Sequence, residues 1–299
     1  MLPDQPARRR RAPLASATAA DQAHGVLLDD LDFLLATARH APSPGDRRPW
    51  RFRVRHGALE LLTAAHPGGS EQLSGHTVDR QDLIACGAAL FNLRLALDHL
   101  GRQPRIRLLP DPENPTLLAQ VTADTPRGPG DEEEYLFAAV ARRHTRRAPF
   151  ARPDVPPELL GHLTAAAALE GTGLVRVPAG HGRDALTDAL SAAETLVADD
   201  PAAAAGLRAP WVSLLLWADG ASCPLAVLTT PSDTPGDWLR AGQALQRLLL
   251  TATTARCPAR FFTLVLQNPE LRERVRVDVC GGAFPQVILE FGQGSAPAG

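Results

Sequence analysis

Apolar positions along this chain fall into two periods, and their alternation divides it into helices and strands. Leu27, Leu28, Leu31, Leu34 and Leu35 keep helical spacing, which predicts a helix over 25–40. Pro42 and Pro44 stop it, so residues 43–49 form a turn-rich loop. Residues 50–55 and 59–63 then alternate apolar and polar around His56-Gly57-Ala58, the pattern of a β-hairpin. A long helix is expected over 80–101, closed by Gly101, with strands at 105–109 and 117–122 around a proline-rich turn. Further on, the periods predict helices at 132–144, 157–169, 181–198 and 238–255, and strands at 174–177, 224–229, 260–266 and 286–291. Residues 198–206 and 211–217 resist assignment.

Two of these helices share a pattern. In a gapless alignment of Cys86–Gly101 with Ala241–Ala255, Gly87 falls on Gly242, Ala89 on Ala244, Leu90 on Leu245, Leu93 on Leu248 and Leu95 on Leu250. Both are apolar around most of their circumference, as helices buried on several sides are. Their small residues would allow a close approach. We read them as the central helices of two related halves, residues 25–125 and 126–299, preceded by a disordered tail over 1–24. The fold class expected is α+β, with two pseudo-symmetric halves around two buried helices.

The charge balance adds mainly exclusions. With 31 basic and 33 acidic residues interspersed, the chain lacks the concentrated basic face of a dedicated nucleic-acid binder. No lysine occurs, which excludes Schiff-base chemistry and a Walker-type phosphate loop. Cys86, Cys223, Cys257 and Cys280 lie far apart without metal-ligand spacing, so they are expected to be reduced, buried thiols in a cytoplasmic protein. No metal site and no membrane span are expected.

Two stretches could carry chemistry. In Arg143-His-Thr145-Arg-Arg147, alternate residues of an extended segment point the same way, and two guanidinium forks with a hydroxyl suit a phosphate dianion. A solvated, arginine-rich helix end is the other reading. The loop from Pro42 to Phe52 could place backbone amides and polar side chains against a planar ligand, or be a plain helix-to-strand corner.

In their order along the chain, these landmarks resemble the FMN-dependent nitroreductase superfamily. The closer likeness is to its Acg-like branch, in which one chain looks like a fused dimer. Besides the two stretches and the Cys86–Gly101 helix, the resemblance includes Asp237–Ala244, Gln267–Glu270 and Pro285-Gln286. It implies that Arg143, Thr145 and Arg147 hold an FMN phosphate. It also implies that the loop bearing Pro42, Ser43, Pro49 and Trp50 lies against the flavin. Asp46 and Arg48 stand where the family has Asn and Gln, and Glu290 where an arginine is usual. With Gln267, the candidate flavin set is Pro42, Ser43, Asp46, Arg48, Arg143, Thr145, Arg147 and Gln267. No catalytic residue is assigned.

The resemblance implies one FMN between the halves and an oxidoreductase acting on a small organic or peptide-like substrate, with NAD(P)H as a candidate reductant. No nucleic acid or membrane partner is expected, and the chain should be a monomer (a pseudo-dimer) or a weak homodimer. A flavin-holding protein without turnover and a flavin-free scaffold stay open. Residues 199–223 look too short for a lid, so a pocket walled by Trp211 and Trp217 is expected over the flavin.

Overall fold

The computed structural model describes residues 29–43, 46–64, 71–73, 76–126, 128, 130–144, 150, 153–199 and 223–293. In chain order these form α1 (Leu31–Ala38), β1 (Trp50–Arg55), β2 (Ala58–Thr63), β3 (Glu71–Leu73), β4 (His76–Val78) and α2 (Arg80–His99). Then come β5 (Arg102–Leu108), β6 (Leu117–Pro126), α3 (Asp131–Val140), α4 (Pro157–Leu169), β7 (Gly173–Val177) and α5 (His181–Asp199). The chain continues through β8 (Leu225–Thr230), α6 (Pro235–Thr254), β9 (Ala259–Phe262), a 3-10 turn (Val265–Gln267), α7 (Pro269–Asp278) and β10 (Phe284–Phe291). The expected α+β class holds.

Two four-stranded sheets, ordered β1-β2-β6-β5 and β7-β8-β10-β9, are antiparallel throughout. The two orders are the same pattern: in each sheet the second strand leads into a central helix, and the third and fourth strands follow it. Between the sheets lie α2 and α6, packed on each other and on the inner strands. Their buried leucines and alanines join the inner faces of both sheets in one core. Each central helix has 20 residues, and each carries its glycine eighth: Gly87 counted from Arg80, Gly242 from Pro235. The N-caps match as well. Asp79 accepts from the Gln81 amide, and Thr234 forms a capping box with Asp237.

The helices cross at the two glycines. A Cβ on Gly87 would run into the carbonyl oxygen of Leu239, three residues before Gly242; one on Gly242 would run into that of Ile84, three residues before Gly87. This reciprocity is what a twofold relation between the helices requires. The buried face is not wholly apolar, as the sequence pattern implied. Gln246 donates to Asn92 Oδ1 at 2.7 Å, and Asn92 donates to the Thr37 carbonyl at 3.1 Å, so these amides are largely paired inside the core.

Several expected boundaries move. The strand expected over 260–266 ends at Phe262, because the 3-10 turn carries Val265 and Leu266 into a second apolar cluster. The helix expected over 132–144 ends at Val140, and of the 25–40 helix the described part, 29–40, carries α1 over 31–38. The His56-Gly57 hairpin is as expected, with φ of 49° and 75° at the two-residue turn. The tail over 1–24 and the tryptophans at 211 and 217 lie outside the described residues.

Candidate functional site

Helix α1 ends beside the middle of α2, and the chain then runs along α2 toward its N-terminus through the loop 39–49. Pro42 and Pro49 are buried and anchor the loop at both ends. Between them the backbone folds on Ser43: its carbonyl accepts from the Asp46 amide and its Oγ from the Arg48 amide, each at 3.2 Å. Asp46 and Arg48 take φ of 56° and 50°, a left-handed conformation that costs energy for residues with a Cβ and often marks functional loops. The acid at position 46 does not stand alone. The Arg48 guanidinium lies 3.3 Å from its carboxylate, on the exposed side of the loop. Arg47 turns inward instead, 2.8 Å from Asp82 in the first turn of α2.

Arg143 follows the end of α3 and reaches this loop from the other flank. Its Nη2 donates to the His40 carbonyl at 2.7 Å, across 103 residues of chain. Burial brings its guanidinium down to about 10. Partial burial, then the nearby charges of Arg143 and Arg48, hold His40 below the usual imidazole range, with His144 adding to the effect. A half-buried histidine among cations is a site short of negative charge. A phosphate dianion suits it.

The first turn of α2 closes the far side of the loop. Arg80 is buried, and it donates to the Leu266 carbonyl at 2.8 Å and to Gln286 Oε1 at 2.6 Å. Gln286 passes the network on to Thr230 and Asp233. Gln81 is 5% exposed and its Nε2 has no hydrogen-bond partner among the described residues, so a donor sits ready for a ligand acceptor.

The structure thus brings Pro42, Ser43, Asp46, Arg48 and Arg143 together. Gln267 closes the 3-10 turn beside Leu266, whose carbonyl accepts from Arg80 at the head of α2. Thr145 and Arg147 lie outside the described residues. Sequence reading passed over His40, Arg80, Gln81 and Asp82, although Arg-Gln-Asp at the head of an apolar helix was a signal.

Glu290 stands in β10 directly opposite Arg260 in β9, and the two pair in the interior. Burial holds the Glu290 carboxyl above the usual range despite Arg260. The guanidinium in this part of the sheet thus lies on the neighbouring strand, paired with Glu290. The four cysteines are buried and free, and burial pushes their thiols up, Cys223 and Cys257 to about 11 and Cys280 to about 12. None offers a reactive thiolate. Among the described residues no His, Cys, Asp or Glu cluster could hold a metal, and no helix is long and apolar enough to cross a membrane.

An α+β chain of paired antiparallel sheets around crossed helices, with a cationic loop against the central helix, is the class these elements define. Comparison with known proteins narrows it. The chain is 32% identical over 298 residues to "Putative NAD(P)H nitroreductase Rv3131" of Mycobacterium tuberculosis, covering 87% of this chain and 83% of that one. "Putative NAD(P)H nitroreductase acg" of the same species is 27% identical over 129 residues, 43% of this chain and 38% of that one. A solved nitroreductase with bound FMN from Bacteroides fragilis aligns with a TM-score of 0.38 at 13% identity, over 55% of this chain and 90% of that one. No family model matches. This chain belongs to the nitroreductase family, as its landmarks led us to expect.

Proposed function

We propose that this chain is an FMN-dependent oxidoreductase of nitroreductase type, with one flavin site per chain. The observation that carries the reading is the hydrogen bond from Arg143 to the His40 carbonyl. It joins the two stretches that, in the resemblance, grip the phosphate and lie against the ring. Arg143 would hold the phosphate, with Thr145 and Arg147 beside it and Arg48 and His40 adding positive charge. Gln81 Nε2 offers a donor for an acceptor on the flavin. When bound, FMN supplies two-electron redox chemistry, while the protein positions it and excludes water.

One site per chain follows from the loop lengths. Eleven residues, 39–49, join α1 to β1, but only three, Glu170–Thr172, join α4 to β7. Among the described helix-to-strand connections, the first half's alone is long enough for a flavin-facing loop. The halves, near 25–125 and 126–299, are on this reading the fused counterparts of two subunits. The substrate is a small organic or peptide-like molecule, and NAD(P)H is the reductant to try first, since the relatives carry it in their names.

An absorbance spectrum of the protein as isolated, then anaerobic addition of NADH or NADPH, tests the proposal. Flavin bands that bleach on addition, and recover with a nitroaromatic acceptor, are expected. A colourless protein that takes up no FMN on reconstitution would overturn it. Bands that neither pyridine nucleotide nor dithionite can bleach would replace the enzyme with a flavin-holding protein.

A further inference from the structure

We infer that the outer face and free edge of the first sheet form a docking surface for an extended acidic segment of a partner protein. It is a separate surface from the flavin site and does not depend on that reading.

Strand β1 turns Trp50, Phe52 and Val54 toward the core and Arg51, Arg53 and Arg55 outward. Alternate residues on a strand stand about 6.6 Å apart, so these arginines form a regular row. Across the sheet, the register places Arg53 opposite Glu60, Glu60 opposite Gln120 and Gln120 opposite Arg107. Glu60 is the acid in that row. It is 2% exposed and occupied by Arg53 and by Gln120 at 3.1 Å. Burial would raise its carboxyl, but these bonds hold it below the usual range. Arg51, Arg55 and Arg107 are exposed and make no ion pair among the described residues. A shallow depression of about 570 Å³ opens beside Arg51 and Arg53, over Leu62, Thr63 and Thr116.

The equivalent face of the second sheet is covered by the chain's own α5 and α7. In the first half, short hairpins replace those helices, and among the described residues no helix covers that face. Among the described residues β1 also ends its sheet, so its outward backbone groups can take another strand. A segment with Asp or Glu at every second position, added along β1, would set each acid beside one arginine while its backbone pairs with the edge. A nucleic acid fits less well. The aromatics of β1 pack inward, so the face offers no platform on which bases could stack.

The test uses the full chain and three labelled probes: a peptide alternating Glu with Thr, its isomer with the Glu residues contiguous, and an oligothymidylate. Fluorescence polarisation should show the alternating peptide binding more tightly than its isomer. Arg51→Glu with Arg55→Glu, both at exposed positions, should weaken it at least about tenfold with an unchanged circular dichroism spectrum. Hydrogen exchange on the unmodified chain should show β1 amides protected by the peptide. Equal binding of the two isomers, no binding of either, or tighter binding of the oligonucleotide would each overturn the inference.

Discussion

Each sheet meets the central helices with one face, and the two halves differ in what they add around that shared frame. The second half spends its extra chain between strands. Helix α5 lies between β7 and β8, and the 3-10 turn and α7 lie between β9 and β10; together they bury Val177, Val227, Phe262 and Ile288 on the outer side of the sheet. The first half joins the equivalent strands by short turns and leaves that side to arginines. Its extra chain comes earlier, in the loop 39–49 that runs along α2 and meets Arg143. One frame therefore carries two kinds of insertion, one that thickens a core and one that builds a site. The helix crossing itself does not differ between the halves, and this is where the comparison can be attacked hardest.

If the crossing is shared equally, Gly87→Ala and Gly242→Ala should cost alike. Each new Cβ meets a backbone carbonyl and, at 3.0 or 2.8 Å, the opposite glycine's Cα, where no flexible side chain can yield. A loss of about 3 kcal/mol is expected for either, read as a shift in the urea midpoint. Gly161→Ala in α4 is the control, since nothing lies within 4 Å of its Cβ; it should gain up to about 1 kcal/mol. A tolerated alanine at one crossing glycine alone would show that the helices do not share the contact.

The helix N-termini are the next point of attack, because there the matched positions diverge. Arg80 and Pro235 both open their helices, yet Arg80 reaches across to Leu266 and Gln286 in the other half. Arg80→Ala would leave buried acceptors short of a charged donor, and should cost about 2 kcal/mol in urea unfolding. Pro235→Ala should change stability by less than about 0.5 kcal/mol. Equal effects would mean that the N-termini do comparable structural work.

Those two positions also mark where sequence reading succeeds and where it stops. The crossing was legible because small residues inside an apolar helical period have few other uses, and the His56-Gly57 hairpin because its turn residues are specific. Helix α7 went unassigned because it is mostly charged, with Leu271 and Val275 as its buried residues. The strand near 260 was drawn too long because an apolar run does not reveal that Val265 and Leu266 turn into a different core. Within the site, Arg143 and the Pro42 loop stood out by their residue pattern, and the family resemblance gave them flavin roles. The pairing of Arg80 with Gln286 joins residues 206 apart, and no local pattern encodes it.

On the loop side, the flavin reading predicts a functional asymmetry between neighbouring arginines. Arg143→Ala removes the half-buried cation that meets the loop, and FMN affinity should fall by roughly tenfold or more, measured by flavin fluorescence quenching. Arg142 is exposed and bonds the Ala138 carbonyl of its own helix, so Arg142→Ala should leave the affinity nearly unchanged. Equal losses would point to bulk charge rather than to a built site.

The smallest effect concerns the half-buried ring of His40. Burial and the charges of Arg143 and Arg48 hold its folded-state pKa below the ordinary imidazole value of about 6.5. The unfolded chain therefore takes up this proton first as pH falls. Stability that His40 contributes at neutral pH is lost as the solution passes below the unfolded pKa, and the loss levels off once the folded ring also protonates. His40→Gln has no proton to gain, so its urea midpoint should fall less between about pH 7.5 and about pH 5.5 than that of the unmodified protein. Sulfate, a dianion at both values, should narrow the gap if it settles beside Arg143, because it offsets the cations that depress the ring. A gap that sulfate leaves untouched would place the cause in burial alone, and would remove His40 from the anion-binding side of the comparison.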